Sequence, residues 1–267
     1  MGHARMLEFV DLRQAIDLPG LRLILISTTP SPWGEAVKGF FHVKKIPYVP
    51  VRHPMGQDQA LLRQLTAQES APVALYNDER PRSTWPEQLY LAERLGPDPP
   101  LIPDNLQDRV RMFGWCNELA GETGLGWARR EMIFARSLNA AAADEKRMAP
   151  MRAMARKYNY SAQTAQTASR RIVDILRGLS EVFEEQKNRG RNFLVGQRLS
   201  ALDIMWAAFA ALIKPLPQEL CPLPQGIRAG FTNDDPAIEA AVSPRLMAHR
   251  DFIYNEYLEL PLILERG

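Results

Sequence analysis

LRLILISTTPSPWGEAVKGFFHVKKIPYVPV, residues 21–51, decides the first half of the fold. LRLILI at 21–26 is short and aliphatic, and it is bounded by Pro19-Gly20 before and Ser27-Thr28-Thr29-Pro30 after, as expected of a strand buried on both faces. From Gly34 to Lys45, the apolar residues Ala36, Val37, Phe40, Phe41 and Val43 recur close to helical spacing, with Glu35, Lys38, Lys44 and Lys45 between them. Pro32 falls near the first turn of that helix, where a missing N–H costs nothing. IPYVPV at 46–51 is a second strand, and its prolines mark a strand start and an edge position.

Working outward, residues 57–65 form a short helix and APVALY at 71–76 a third strand, followed by turn chemistry at Asn77-Asp78. Residues 84–95 are helical again, with Pro86 in the first turn and Gly96 as the stop. The order β-α-β-α-β-(β)-α fits one small α/β domain over residues 21–95. GPDPPLIPD at 96–104 packs four prolines into a semi-rigid linker. Beyond it, residues 105–134, 140–157, 161–187 and 200–214 all carry apolar residues at helical spacing with no alternating segment between them, so residues 105–267 are expected to form an all-helical domain. Within that domain, residues 220–235 read as a Pro/Gly-rich loop that connects helices or covers a cleft, and 236–258 as helix. Residues 1–20 form an N-terminal arm, with LEFVDLRQAI as a short strand or helix packing on the first domain.

The composition agrees. With 33 Lys+Arg against 31 Asp+Glu the net charge is +2, which excludes a nucleic-acid polyelectrolyte, and 46% apolar residues exclude a mainly disordered chain. The basic cluster at 187–198 lacks aromatic interleaving and reads as a solvated helix end rather than a nucleic-acid patch. The arm has no continuous apolar stretch, and the most apolar run, 201–213, is shorter than the roughly 20 residues of a bilayer span and is interrupted by Asp203. No membrane contact is therefore expected. The two cysteines, Cys116 and Cys221, have neither CxxC spacing nor a partner cluster, which fits a reducing, cytoplasmic compartment. The four histidines, at 3, 42, 53 and 249, are scattered, so no metal is expected, and no phosphate-cradling glycine motif or nucleophile elbow is present.

Three places can carry chemistry. The turn from Thr28 to Gly34 leads into a helix, so its amides and the helix dipole favour an anion such as a thiolate, with Ser31 as hydroxyl donor or merely as N-cap. Pro72 opens a strand where it cannot donate to a ladder, a placement that sometimes marks a cis bond beside a ligand. Ser83-Thr84 precedes an amphipathic helix, and Thr84 there is a cap or a carboxylate receptor. A fourth pattern, Ser200-Ala201-Leu202-Asp203, is a structural capping box opening the most apolar helix. Losing Asp203 there is expected to cost about 1 kcal/mol or more.

Together these pieces resemble the cytosolic glutathione S-transferase superfamily over residues 21–258. SPWGEAVKGFFHVKKIPYVPV (31–51) resembles the family's catalytic turn, first helix and second strand, with Ser31 in the slot filled by Ser or Cys in theta-, zeta- and omega-like classes. APVALYNDERPRSTWPEQLYLAERLG (71–96) resembles the cis-proline strand and glutathione-binding helix, and NFLVGQRLSALDIMW (192–206) the capping box and buried helix. The resemblance implies a thioredoxin-like N-terminal domain, an all-helical C-terminal domain and a homodimer. Glutathione would then be the co-substrate, held by Ser31, Trp33, Ala71, Pro72, Ser83 and Thr84. Two positions depart from the pattern: Ser83 replaces the acid that pairs with the γ-glutamyl ammonium, and Ser70 stands where a lysine often meets the glycyl carboxylate.

The expected activity is glutathione-dependent: Ser31 and the helix N-terminus stabilise the thiolate, which adds to a small electrophile. A serine cannot form the mixed disulfide of cysteine classes, so thiol transfer is disfavoured. Thr28 and Thr29 are fallback donors, and Trp115-Cys116 are candidates for the electrophile wall or simply core. The alternatives are a non-catalytic module of the same fold that binds a protein partner, favoured by Ser70 and Ser83, and a glutathione-dependent isomerase or dehalogenase.

Overall fold

A computed structural model describes residues 8–54, 59–140 and 145–265. The chain divides into two compact units: one comprises the residues up to Ile102 with Leu216–Pro224 and the residues from Phe252 on, the other Pro103–Pro215 with Gln225–Asp251. The break after Ile102 falls inside the proline-rich stretch, and two segments from beyond residue 105 cluster with the first unit.

The first unit begins with the short helix α1 (Leu12–Ala15), followed by β1 (Leu21–Leu25), α2 (Pro32–Val43), β2 (Tyr48–Arg52), α3 (Gln59–Thr66), β3 (Val73–Tyr76) and α4 (Trp85–Leu95). The sheet order is β2-β1-β3, with β2 parallel and β3 antiparallel to β1. All five residues of central β1 are buried. Arg22 is tolerated there because both terminal nitrogens of its guanidinium donate to the carbonyls of Ala15, Ile16 and Asn77, which ties α1 and the β3 turn to the strand, while Nε is buried without a partner. Pro50 sits in β2, at the sheet's edge, as a residue without a ladder donor must. The arm uses that edge: Val10 bridges Val51 in parallel, and Leu12 and Ala15 of α1 pack with Ile24, Val51, Leu62, Val73 and Leu75. The first seven residues of the arm and residues 57 and 58 of the expected helix 57–65 lie outside the described residues. The proline-rich stretch is anchored: the buried ammonium of Lys44 donates to the carbonyls of Gly96 and Pro99 and pairs with Glu93.

The second unit is helical: α5 (Leu106–Ala120), α6 (Leu125–Ala140), α7 (Glu145–Lys157), α8 (Ala162–Asn188), α9 (Ala201–Phe209), α10 (Gln225–Phe231), α11 (Pro236–Ala241) and the start of α12 (Pro244–Tyr257). Three sequence readings change. The helix read over 105–134 is broken at Gly121 and Gly124, where a Cβ would stand 2.7 Å from the Asn117 carbonyl and 2.5 Å from that of Glu118. The span 236–258 is split ahead of Pro244, which disfavours helix at the residue before it. The loop read over 220–235 contains α10, which has no buried residue and only the single Ile227/Phe231 pair at helical spacing, too little to reveal a helix among its prolines and glycines. Of the helix read over 140–157, residues 141–144 lie outside the described residues, and α7 covers Glu145–Lys157.

Helix α9 is the centre of this unit, with every residue buried. Trp206 donates its indole N–H to the Leu246 carbonyl at 3.0 Å. Cys116 is fully buried, and desolvation together with the Asp203 carboxylate pushes its thiol well above the usual range, so it is a core residue rather than a nucleophile. Its neighbour Trp115 lies across Gly178 of α8, where a Cβ would meet ring atom Cη2 at 2.7 Å. Gly178→Ala therefore forces the indole to move, at a cost that outweighs the helix propensity gained. We expect a net loss of about 1 kcal/mol by urea unfolding, recovered in the Trp115→Phe/Gly178→Ala pair; an unchanged midpoint would contradict the contact.

Candidate functional site

The sheet register brings Pro72 to the end of β1 where the 26–31 turn begins. Ile24 pairs with Val73, so Pro72, one residue earlier in an antiparallel strand, lies at the level of Leu25, where β1 gives way to the 26–31 turn. Ala74 is bridged to Arg82, and the antiparallel count carries 83 alongside 73 and 84 alongside 72. Gln88 reinforces that juxtaposition, its buried amide donating to the carbonyls of both Pro72 and Arg82 at 3.0 Å. The Ala71–Pro72 peptide bond is cis.

Ser31 is the N-cap residue of α2, with extended backbone and Pro32 at the first helical position, and its side chain makes no capping hydrogen bond. Its amide donates to the Thr29 carbonyl at 2.9 Å and its own carbonyl accepts from Glu35 at 2.8 Å. Half-buried Trp33 occupies the helix's first turn. Thr84 is the N-cap of α4, where Glu87 reaches back over the helix start. One Glu87 oxygen accepts from the Thr84 hydroxyl at 3.0 Å, the Thr84 amide at 3.3 Å and the Ser83 amide at 3.4 Å; the other accepts from Arg80 at 2.7 Å. Arg80 first, and then the Thr84 hydrogen bonds, hold this carboxyl below the ordinary carboxylate range against an opposing burial effect. The Thr84-x-x-Glu87 spacing is that of a capping box and was available in the sequence; only Thr84 of the pair was singled out.

At the start of the 26–31 turn, a cavity of ≈ 580 Å³ is lined by Gln14, Thr28, His53 and the charged trio Asp11, Arg52 and Glu265. The Glu265 amide donates to the Ser27 carbonyl at 2.8 Å, and its carboxylate accepts from Arg52 Nε at 2.8 Å. Thr28 faces this cavity, so the turn offers one threonine donor there and Ser31 at the helix start. In the second unit, Asp203 and Ser200 open α9: one Asp203 oxygen accepts the Ser200 amide (2.9 Å) and hydroxyl (2.7 Å), the other the Leu194 amide (2.8 Å), and His249 Nε2 stands 2.9 Å from it. Among the described residues, no group of three or more His, Cys, Asp and Glu could hold a metal, and no helix is long and apolar enough to cross a membrane.

A three-stranded mixed sheet of β-α-β form with a proline-led antiparallel third strand, followed along the chain by an all-helical unit, defines a thioredoxin-like plus helical architecture. No protein-family model and no curated protein sequence matches the chain. Solved structures do. Omega 3C glutathione transferase from Trametes versicolor superposes with a TM-score of 0.58 at 13% identity, covering 91% of this chain and 89% of that one. Rice GST1, solved in complex with glutathione, gives 0.57 at 19% identity over 92% and 94%. The β-etherase LigF of Sphingobium gives 0.55 at 17% identity over 83% and 98%. This chain has the glutathione S-transferase fold.

Proposed function

We propose that the protein is a glutathione-dependent transferase-like enzyme. Glutathione lies along the first unit, its sulfur held as thiolate by Ser31 and the N-terminus of α2, its cysteinyl backbone beside Ala71-Pro72 and its γ-glutamyl end at Ser83-Thr84. The thiolate then adds to a small electrophile. The observation that carries this reading is the convergence of the 26–31 turn, Pro72 and Thr84 at one end of the sheet in a chain of this fold. The Ser31 side chain supports it, because it makes no capping hydrogen bond and its rotamer is therefore not fixed by its own helix, leaving the O–H free to turn toward sulfur. That rice GST1 holds glutathione on the same fold supports it further. A homodimer in the cytoplasm completes the proposal.

The second reading, a non-catalytic module, is favoured by Ser70 and Ser83, which leave both ends of the tripeptide without the charged partners of the family pattern. Calorimetric titration separates the two. Glutathione is expected to bind the wild-type protein, with an affinity about tenfold or more lower in Thr84→Ala, since a hydrogen bond to a charged group is worth roughly 1.5–3 kcal/mol. No heat at millimolar glutathione would give the module reading the lead.

A further inference from the structure

We propose that Glu265, near the end of the chain, is a positioning residue for the Ser31 hydroxyl and acts on it through Ser27. The inference rests on the glutathione reading above and deepens it.

The 26–31 turn carries the chain from β1 to the N-cap of α2, so the placement of its first residues is passed on to Ser31. On one flank packing does not hold it: Ile26, Ser27 and Thr28 line the ≈ 580 Å³ cavity, and a wall facing open space lacks the dispersion contacts that fix a core residue. Hydrogen bonds from the C-terminal tail supply what packing does not. The Glu265 amide donates to the Ser27 carbonyl at 2.8 Å, and the Ser27 hydroxyl donates to the Glu265 carboxylate. One residue thus grips buried Ser27 by both main chain and side chain.

Glu265 is itself fixed. Arg52 takes its carboxylate in a two-pronged pair, through Nε at 2.8 Å and through Nη2, while Nη1 pairs with Asp11 of the arm. A forked guanidinium–carboxylate pair sets direction as well as attraction. In the sheet Arg52 stands opposite Leu25, two residues before Ser27. Ser27 is therefore reached from the sheet twice, along the chain from β1 and across from β2 through Arg52 and Glu265. Arg52 first, and then the Ser27 hydroxyl, hold the Glu265 carboxyl below the ordinary carboxylate range against its burial, so this brace is ionised wherever a thiol titrates. Asp11 and Glu265 both lie outside residues 21–258, over which the chain resembles the transferase family, so the brace is this chain's own addition to that pattern.

The test follows the thiolate absorbance of glutathione bound to the full-length protein against pH, with calorimetry for affinity. Glu265→Ala is expected to lower the thiolate-to-thiol ratio at neutral pH about tenfold, because a donor moved out of line loses most of its hydrogen bond. Affinity for the thiol form, measured at acidic pH, should stay within about threefold of wild type. Ser27→Ala breaks the same contact from the turn's side and should shift the titration in the same direction. In the Ser31→Ala background, Glu265→Ala should change the ratio by no more than about twofold, a coupling that a merely stabilising tail contact would not produce. Wild-type titration of the thiol in either Glu265→Ala or Ser27→Ala overturns the proposal, and so does a full shift that persists without the Ser31 hydroxyl. Failure of the wild-type protein to bind glutathione overturns the glutathione reading itself.

Discussion

Ser31→Ala is expected to lower turnover of glutathione with a reactive electrophile about a hundredfold, with folding stability within about 0.5 kcal/mol of wild type. The two halves of that expectation come from one observation. A serine N-cap normally contributes about 1 kcal/mol through its side-chain hydrogen bond to the helix amides, but the Ser31 side chain makes none. Its hydroxyl is thus absent from the folding balance and available for chemistry. The thiolate it stabilises should also form at higher pH in the variant, read from the thiolate absorbance of bound glutathione. Full turnover in Ser31→Ala would remove Ser31 from the mechanism and move attention to Thr28, which lines the cavity at the start of the turn.

The largest effect on stability is expected at Asp203. Its carboxylate is completely buried and accepts from the Ser200 amide and hydroxyl and from the Leu194 amide, with His249 Nε2 at its other side. Phe183 covers the His249 ring, with centroids 4.6 Å apart. Asp203→Ala strands all these groups away from water, and breaking such a buried network typically costs about 3–5 kcal/mol. The urea midpoint of the helical unit should fall accordingly, and His249→Ala should be much less damaging in the Asp203→Ala background than alone. A loss near 1 kcal/mol would reduce Asp203 to an ordinary helix cap.

That comparison shows where the sequence was legible. Ser-x-x-Asp is a local pattern, and its spacing alone identifies the helix start; the partnership with His249, 46 positions away, has no local signal. The strand read at 21–26, formed over Leu21–Leu25, is legible because complete burial leaves an almost uninterrupted aliphatic run that even Arg22 does not obscure. Where burial gives way to exposure the signal fades: α10, with no buried residue, was read as loop. The site followed the same rule. Ser31, Pro72 and Thr84 each sit at an element boundary that punctuation residues announce. That Pro72 lies level with Leu25, and that the chain returns past β3 at Arg82, depends on strand register, which spacing alone does not carry.

The first unit is assembled from three separate stretches of chain, the last beginning at Phe252. On a ribosome, about 150 residues must follow Ile102 before Phe252 is made, roughly eight to thirty seconds at ordinary elongation rates. During that interval the sheet, the 26–31 turn and α4 exist without Glu265, whose amide and carboxylate hold Ser27 and Arg52 in the finished molecule. The part of the protein that is translated first is therefore among the last to be completed, and the nascent chain spends that time with its sheet and the turn before α2 still waiting for their final restraint.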